Sequence, residues 1–254
     1  MSAPTASPLN TIDGALVVQP PDRDAPGLRG ASWRALDAVR DPELDEPVTD
    51  LSFVVSVGVN GDEVAVDLRL PTYFCAPNFA YLMVSDAHDA VAAVPGVSRV
   101  RVRLLEHFAS SEINAGVAAG DGFADSFAGL ASGELGELRR TFRRKAHTAA
   151  QERVAARLLT SGATHEILVA TTLGQVPPGP DLDGLRRRRT DLGLDAGAAA
   201  PLLVDDEGRP LAVEGLGVRL RFARTTRVSI EGNSSLCRGL LATRYPEPAG
   251  APPG

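Results

Sequence analysis

Apolar and polar positions alternate along this 254-residue chain with two periods, and the period changes in a definite order. Over residues 30–41, Trp33, Leu36 and Val39 recur at helical spacing, and Pro42 ends the run. Residues 51–59 form an almost unbroken apolar stretch, read as a strand. Asn60-Gly61 is a strong hairpin signal. Residues 63–70 alternate with period two, as a return strand with one wet face would, and Pro71 stops them. Residues 78–94 return to the helical period through Phe79, Leu82, Met83, Val91 and Val94, and Pro95-Gly96 closes the helix. Residues 97–104 alternate again. The expected order is helix, strand, strand, helix, strand: a compact α/β (α+β) domain over residues 29–108.

The rest of the chain is patterned differently. Residues 1–28 are rich in Pro, Ala and Asp and read as a disordered leader, with one short apolar run at 15–18. Residues 109–160 read as a linker, with a short helix at 123–130, followed by a long helix over 134–159. The middle of that helix carries Arg139, Arg140, Arg143, Arg144 and Lys145, a solvated face or a dock for an acidic partner. Pro177-Pro178-Gly179-Pro180 is a break, and Arg186–Arg189 reads as a solvated basic turn. Residues 161–245 are expected to form a β-rich α+β region. Its strands would lie at 167–170, on either side of Asp205-Asp206-Glu207-Gly208, and in the alternating runs 218–222 and 226–230. A helix capped by Asn233 or Ser234 follows to Thr243, then a Pro/Gly/Ala tail over 246–254.

Composition narrows the function classes. With 26 basic and 32 acidic residues the formal charge is −6, which gives no reason to expect a nucleic-acid partner. No apolar run approaches the roughly 20 residues that span a bilayer. The N-terminus lacks the basic-then-apolar order of a secretory signal. Two distant cysteines make no disulfide framework, and a reducing cytoplasm is the expected setting.

Chemistry concentrates at a few positions. Cys75 falls where a strand gives way to a helix, and amides at a helix N-terminus favour a thiolate, the form that binds soft metals and carries sulfur. A buried apolar cysteine is the structural alternative. Asp41, Glu43 and Asp50 cluster in one acidic turn, either as turn formers or as ligands of a hard cation. Cys237 lies in a setting much like that of Cys75, with Glu231 and Asn233 close in sequence. His107 stands at a strand end on the side of these turns, whereas His88 reads as structural. Zinc-finger spacing, a P-loop, a dinucleotide fingerprint and a Gly-x-Ser-x-Gly elbow are all missing.

Asp41-Pro-Glu43-Leu, Val48-Thr-Asp50-Leu, the paired strands, a cysteine at the strand-to-helix turn, and Val94-Pro-Gly-Val-Ser-Arg-Val-Arg-Val occur in that order over residues 30–105. Together they resemble the iron–sulfur cluster assembly domain family, which includes SufT, PaaD and the cytosolic iron–sulfur targeting factor of eukaryotes. The chain departs from the family at Thr72-Tyr-Phe-Cys75-Ala-Pro77, where the family has Thr-x-x-Gly-Cys-Pro, and Glu106-His107-Phe108 replaces its usual ending. The resemblance implies an accessory factor in iron–sulfur or other metal-centre assembly. Its partners would be a client metalloenzyme, a multicomponent monooxygenase among the candidates, and other assembly factors. Homo-oligomers are compatible with this role. Asp41, Glu43 and Asp50 would shape the cofactor turn. Cys75 would contact iron or an iron–sulfur cluster transiently; Cys237, His107 and Glu231, which the resemblance does not reach, would join it as metal contacts if the two regions fold together. The alternatives are a non-catalytic adaptor acting through the basic helix, and an enzyme with Cys75 as nucleophile and His107 as base.

Overall fold

The computed structural model describes residues 11–12, 15–16, 24–120 and 133–246. Most of the expected leader, the helix expected at 123–130 and nearly all of the tail fall outside these. The chain divides into two compact units, one of residues 1–42, 46–132 and 234–254, the other of residues 43–45 and 133–233.

The first unit is built on a three-stranded sheet of order β3-β4-β5, with β3 at Val54–Asn60, β4 at Glu63–Arg69 and β5 at Arg99–Leu105. A separate two-residue pair, β1 (Thr11–Ile12) and β2 (Ala15–Leu16), precedes it. β3 and β4 form the expected hairpin, in the register Asn60↔Glu63, with Gly61 at φ 62° in the turn. β5 runs parallel to β4, so the chain must cross over between them. Helix α2 (Pro77–Ala92) makes that crossover and buries Leu82, Met83, Val84, Ala87 and Val91. Helix α1 (Gly27–Leu36) packs Trp33 and Leu36 inward. It ends five residues before the expected stop, because Thr49 donates a 2.6 Å bond to the Asp37 carboxylate and Val48 N–H donates to the Val39 carbonyl. Those bonds pull the chain into the turn that Arg40 and Pro47 close.

The expected wet face of β4 is covered. Asp67 is buried there, accepting two bonds from Arg103 on β5 (2.7 and 2.9 Å) and one from Ser56 on β3 (3.0 Å). The Asp67 hydrogen bond and charge raise the Arg103 pKa despite its partial burial. Helix α3 (Ser110–Ala119), which the pattern had merged into a linker, is held by the Asn114 amide bonding both N–H and C=O of Leu104.

The second unit is helical, which corrects the β-rich expectation. It holds α4 (Gly133–Thr160), α5 (His165–Ala170), α6 (Pro180–Leu192) and the first part of α7 (Leu216–Arg244). α4 matches the long helix read from the sequence. The supposed strand at 167–170 is helix α5, capped by Thr164. The runs 218–222 and 226–230 lie within one helix: Leu216 and Ala223 are buried and Leu220 packs on the core, a helical spacing. Asn233 and Ser234 are therefore helix-interior residues rather than caps. The hairpin around residues 205–208 survives only as a turn, with isolated bridges Thr172↔Pro201 and Val204↔Pro210. The core gathers Ala150, Val154, Leu168, Leu173, Leu185 and Leu202. Gln151 replaces a strand by bonding both backbone groups of Val204 (2.8 and 3.1 Å).

The basic run 186–189 is partly core as well. Arg189 is 1 % exposed and donates to the carbonyls of Leu202 (2.8 Å) and Asp195 (3.1 Å). His147 is buried too, and burial together with the Arg189 charge lowers its pKa from 6.5 to about 4. The unfolded chain therefore binds this proton before the folded chain does. The resulting stability, about 3 kcal/mol, is complete above pH 6.5 and is lost as the pH falls towards 4. Urea unfolding at pH 7 and pH 5 should show that fall in the wild type and a smaller one in His147→Gln.

Candidate functional site

The parallel pairing of β4 and β5 fixes where Cys75 lies. The central strand ends at Arg69, the crossover helix starts at Pro77, and the loop between them carries Thr72, Tyr73, Phe74 and Cys75. Proline at the helix start pre-sets φ and has no N–H to leave unpaired. The Cys75 thiol is half-buried and lies 3.3 Å from the Thr72 hydroxyl, which also accepts the Phe74 N–H.

The loop is clasped to the turn that follows β5. His107 Nε2–H donates to the Cys75 carbonyl at 2.7 Å, Ala109 N–H donates to His107 Nδ1 at 3.2 Å, and Phe108 N–H donates to the Tyr73 carbonyl at 3.2 Å. This pattern assigns the neutral tautomer with the proton on Nε2. Burial lowers the His107 pKa and the Arg244 charge adds to this, against the bond to the Cys75 carbonyl. With both nitrogens engaged, His107 can neither take a proton from the thiol nor ligate a metal without giving up one of these bonds.

The loop and the turn clasped to it carry an exposed aromatic collar that the sequence reading did not single out. Phe74 is 78 % exposed, and Tyr73 and Phe108 are about half exposed. Tyr73 meets Phe74 edge-on at 5.1 Å and lies 6.2 Å from Phe108, which in turn lies 4.9 Å from His107. One signal was present: a phenylalanine occupies position 74, where the resembled family has glycine.

The acidic turn separates its members. Asp41 is buried, and its N–H donates to the Glu46 carbonyl. Glu43 accepts from Asn233 at 3.3 Å, and Asp50 is exposed. Glu46, absent from the predicted set, does more: it accepts from Ser234 Oγ at 2.5 Å and pairs with Arg238, which also donates to the Asp50 carbonyl. Glu106 likewise accepts from Tyr245 at 2.9 Å, while Arg244 donates to the carbonyls of Glu106 and Leu70. Burial and the bond to Glu106 push the Tyr245 pKa up to about 12. Ser234, Arg238 and Arg244 of the last helix and Tyr245 just after it thus tie residues 234–245 to the rest of the first unit, and Cys237 is half-buried.

Glu231 belongs to the second unit. Burial would raise its pKa, but bonds from Arg153 (3.1 Å) and Arg227 (2.9 Å) outweigh that and hold it below the ordinary value. Among the described residues no three His, Cys, Asp or Glu side chains are grouped to hold one metal ion, so Cys75, Cys237, His107 and Glu231 are not assembled into a common ligand set. No helix among them is long and apolar enough to cross a membrane.

Residues 32–103 match the family model described as iron–sulfur cluster assembly protein. The matched segment holds the acidic turn, all three strands of the main sheet down to Arg103, and Cys75; it excludes His107 and residues 133–233 of the second unit. A comparison with curated proteins found no match.

Replacing His107 by Phe keeps an aromatic ring but removes the two clasp bonds that the imidazole makes, leaving the one from Phe108 N–H. The Cys75 carbonyl and the Ala109 N–H would then lack partners, and the first unit should lose about 1–3 kcal/mol. A lower urea midpoint, with unchanged helix content, is the expected reading; an unchanged midpoint would show that the clasp does not hold the loop.

Proposed function

Because residues 32–103 form an iron–sulfur cluster assembly domain, with a general role in assembling such clusters, we propose that this chain helps to build a metal centre, iron–sulfur or di-iron, in a client metalloenzyme. The cluster or metal is cargo on this reading. Cys75 touches it in passing, as a transient ligand or sulfur acceptor, and the client supplies the remaining ligands. The observation that carries the reading is a half-buried thiol just before the crossover helix, inside the matched segment and on a loop that also exposes Tyr73 and Phe74, with Phe108 beside Tyr73. A lone thiol suits delivery better than storage, because a resident cluster needs several protein ligands.

The aromatic collar gives the client its grip. Exposed aromatics at a contact centre supply much of the binding energy in protein interfaces. A client loop seated on Phe74 would shield the thiol from water while the metal changes hands. We assign the client to the multicomponent monooxygenases, following the resemblance to PaaD, and place the reaction in the cytoplasm. His107 holds the loop that carries the thiol and takes no part in the transfer.

The test is co-expression with the oxygenase components of the same host, followed by anaerobic purification of the oxygenase and measurement of its iron and acid-labile sulfide. Cys75→Ser should remove most of the metal delivered to the oxygenase while leaving the accessory chain folded. Phe74→Asp should weaken complex formation with the client and lower loading in proportion. Full metal loading with Cys75→Ser would refute the role given to the thiol. Charge reversal at Arg139, Arg140, Arg143 and Arg144 that did more damage than loss of Cys75 would point to an adaptor acting through α4.

A further inference from the structure

The second unit carries a groove that metal delivery by Cys75 does not use. Its lining comes from α4 between Thr141 and Glu152, from the turn at 203–211, and from α7 between Arg219 and Thr226. All three stretches lie within residues 133–233, inside one compact unit. Two hollows, of about 450 and about 300 Å³, share Thr148, Asp206 and Thr226 and so form one groove. Sites for small molecules have this size. The turn is held in place by its own bonds: the Asp205 and Leu211 N–H groups donate to the Arg209 and Leu203 carbonyls, and the Asp205 carboxylate accepts from the N–H groups of Glu207 and Arg209. That part of the lining is pre-formed.

The two hollows differ in chemistry. Leu203, Leu211, Leu220 and Ala223 line the larger one, with Phe222 72 % exposed beside them. Thr141, Arg144, Lys145, Thr148, Asp206 and Thr226 line the smaller one, which is polar throughout. Lys145 is the only lysine in the chain. Thr141, Lys145 and Thr148 follow at steps of four and three and share one face of α4.

The carboxylates of the groove are already matched. Arg227 bonds Glu152, Arg209 bonds both Asp205 and Glu207, and Arg144 stands 3.9 Å from Asp206. Two cations of the lining, Lys145 and Arg219, have no carboxylate partner among the described residues. The Lys145 ammonium lies instead over the Phe142 ring, 4.5 Å from its centre. Two hydroxyls are unspent as well. Threonines inside these helices commonly donate to the carbonyl four residues back, as Thr160, Thr225 and Thr226 do. Thr141 and Thr148 make no hydrogen bond among the described residues. Unmatched positive charge and free hydroxyl donors at a polar end, beside an apolar floor, complement an anion that carries an apolar body.

We propose that this groove binds a small organic anion with an apolar body. Lys145 and the hydroxyls of Thr141 and Thr148 hold the anionic head, and the body lies along Leu211, Leu220 and Phe222. Arg219, beside that floor, adds a second positive charge that disfavours a cation of the same shape. The site is independent of the cargo chemistry of Cys75.

The test uses the full chain and octanoate as the probe. Because the chain has one lysine, its reductive methylation by formaldehyde and borane, read by mass spectrometry of the peptide that carries it, reports on this groove. Octanoate should slow the methylation of Lys145 in a saturable way. Octyltrimethylammonium, the same chain with the opposite charge, and acetate, the head without the body, should not. Thr148→Val removes a hydroxyl with little change of volume and should raise the octanoate concentration for half protection roughly tenfold. Phe222→Asp, at an exposed position, should raise it by a similar factor, with circular dichroism unchanged in both variants. No protection by octanoate, equal protection by octyltrimethylammonium or acetate, or full protection retained in both variants would each overturn the proposal.

Discussion

The parallel pairing of β4 with β5 is the constraint on which the first unit depends. Antiparallel neighbours need only a short turn, but a parallel neighbour must be reached by a crossover, and here the crossover is α2. That requirement puts a strand end, a loop and a helix start in immediate succession after the central strand. Cys75 lies in that loop, one residue before the helix cap Ala76, so its position follows from sheet topology. The same pairing sets Arg103 beside Asp67, and a buried carboxylate with three donors closes the face of β4 that hydrophobic packing does not.

Much of this was legible because period-two strands and a Gly-containing hairpin turn are strong local signals. The Cys75 loop was legible for the same reason: a proline stops the strand and another opens the helix. The second unit was misread where the signals are local and ambiguous. Val218-Arg-Leu-Arg-Phe222 alternates as a strand would, yet the next buried position, Ala223, lies seven from Leu216, and only the longer window reveals the helix. The partners of Arg188, Arg189 and His147 depend on tertiary packing that no sequence window contains.

At the site, residue identity was easier to read than residue role. His107 was singled out for metal or proton chemistry, but its ring is spent on two backbone groups and serves the loop. Glu231 was grouped with the cysteines, but two arginines hold it in the other unit. The collar of Tyr73, Phe74 and Phe108 escaped notice because aromatic residues are read first as core. Its exposure, set by a loop that leaves the sheet at Pro71, is what gives the thiol a surface to present.

The first unit is discontinuous: residues 43–45 belong to the other unit, and after residue 132 the first unit resumes only at Ser234. Glu46 and Glu106 receive Ser234, Arg238, Arg244 and Tyr245 only from that last stretch. A ribosome adding about 5–20 residues per second needs on the order of 5–20 s to make the intervening segment 133–233. During that interval the sheet and the Cys75 loop have been made while the residues that close on them have yet to be added. Within the first unit, the residues that bond Glu46 and Glu106 are made last, long after the strands and the Cys75 loop beside which those two carboxylates stand.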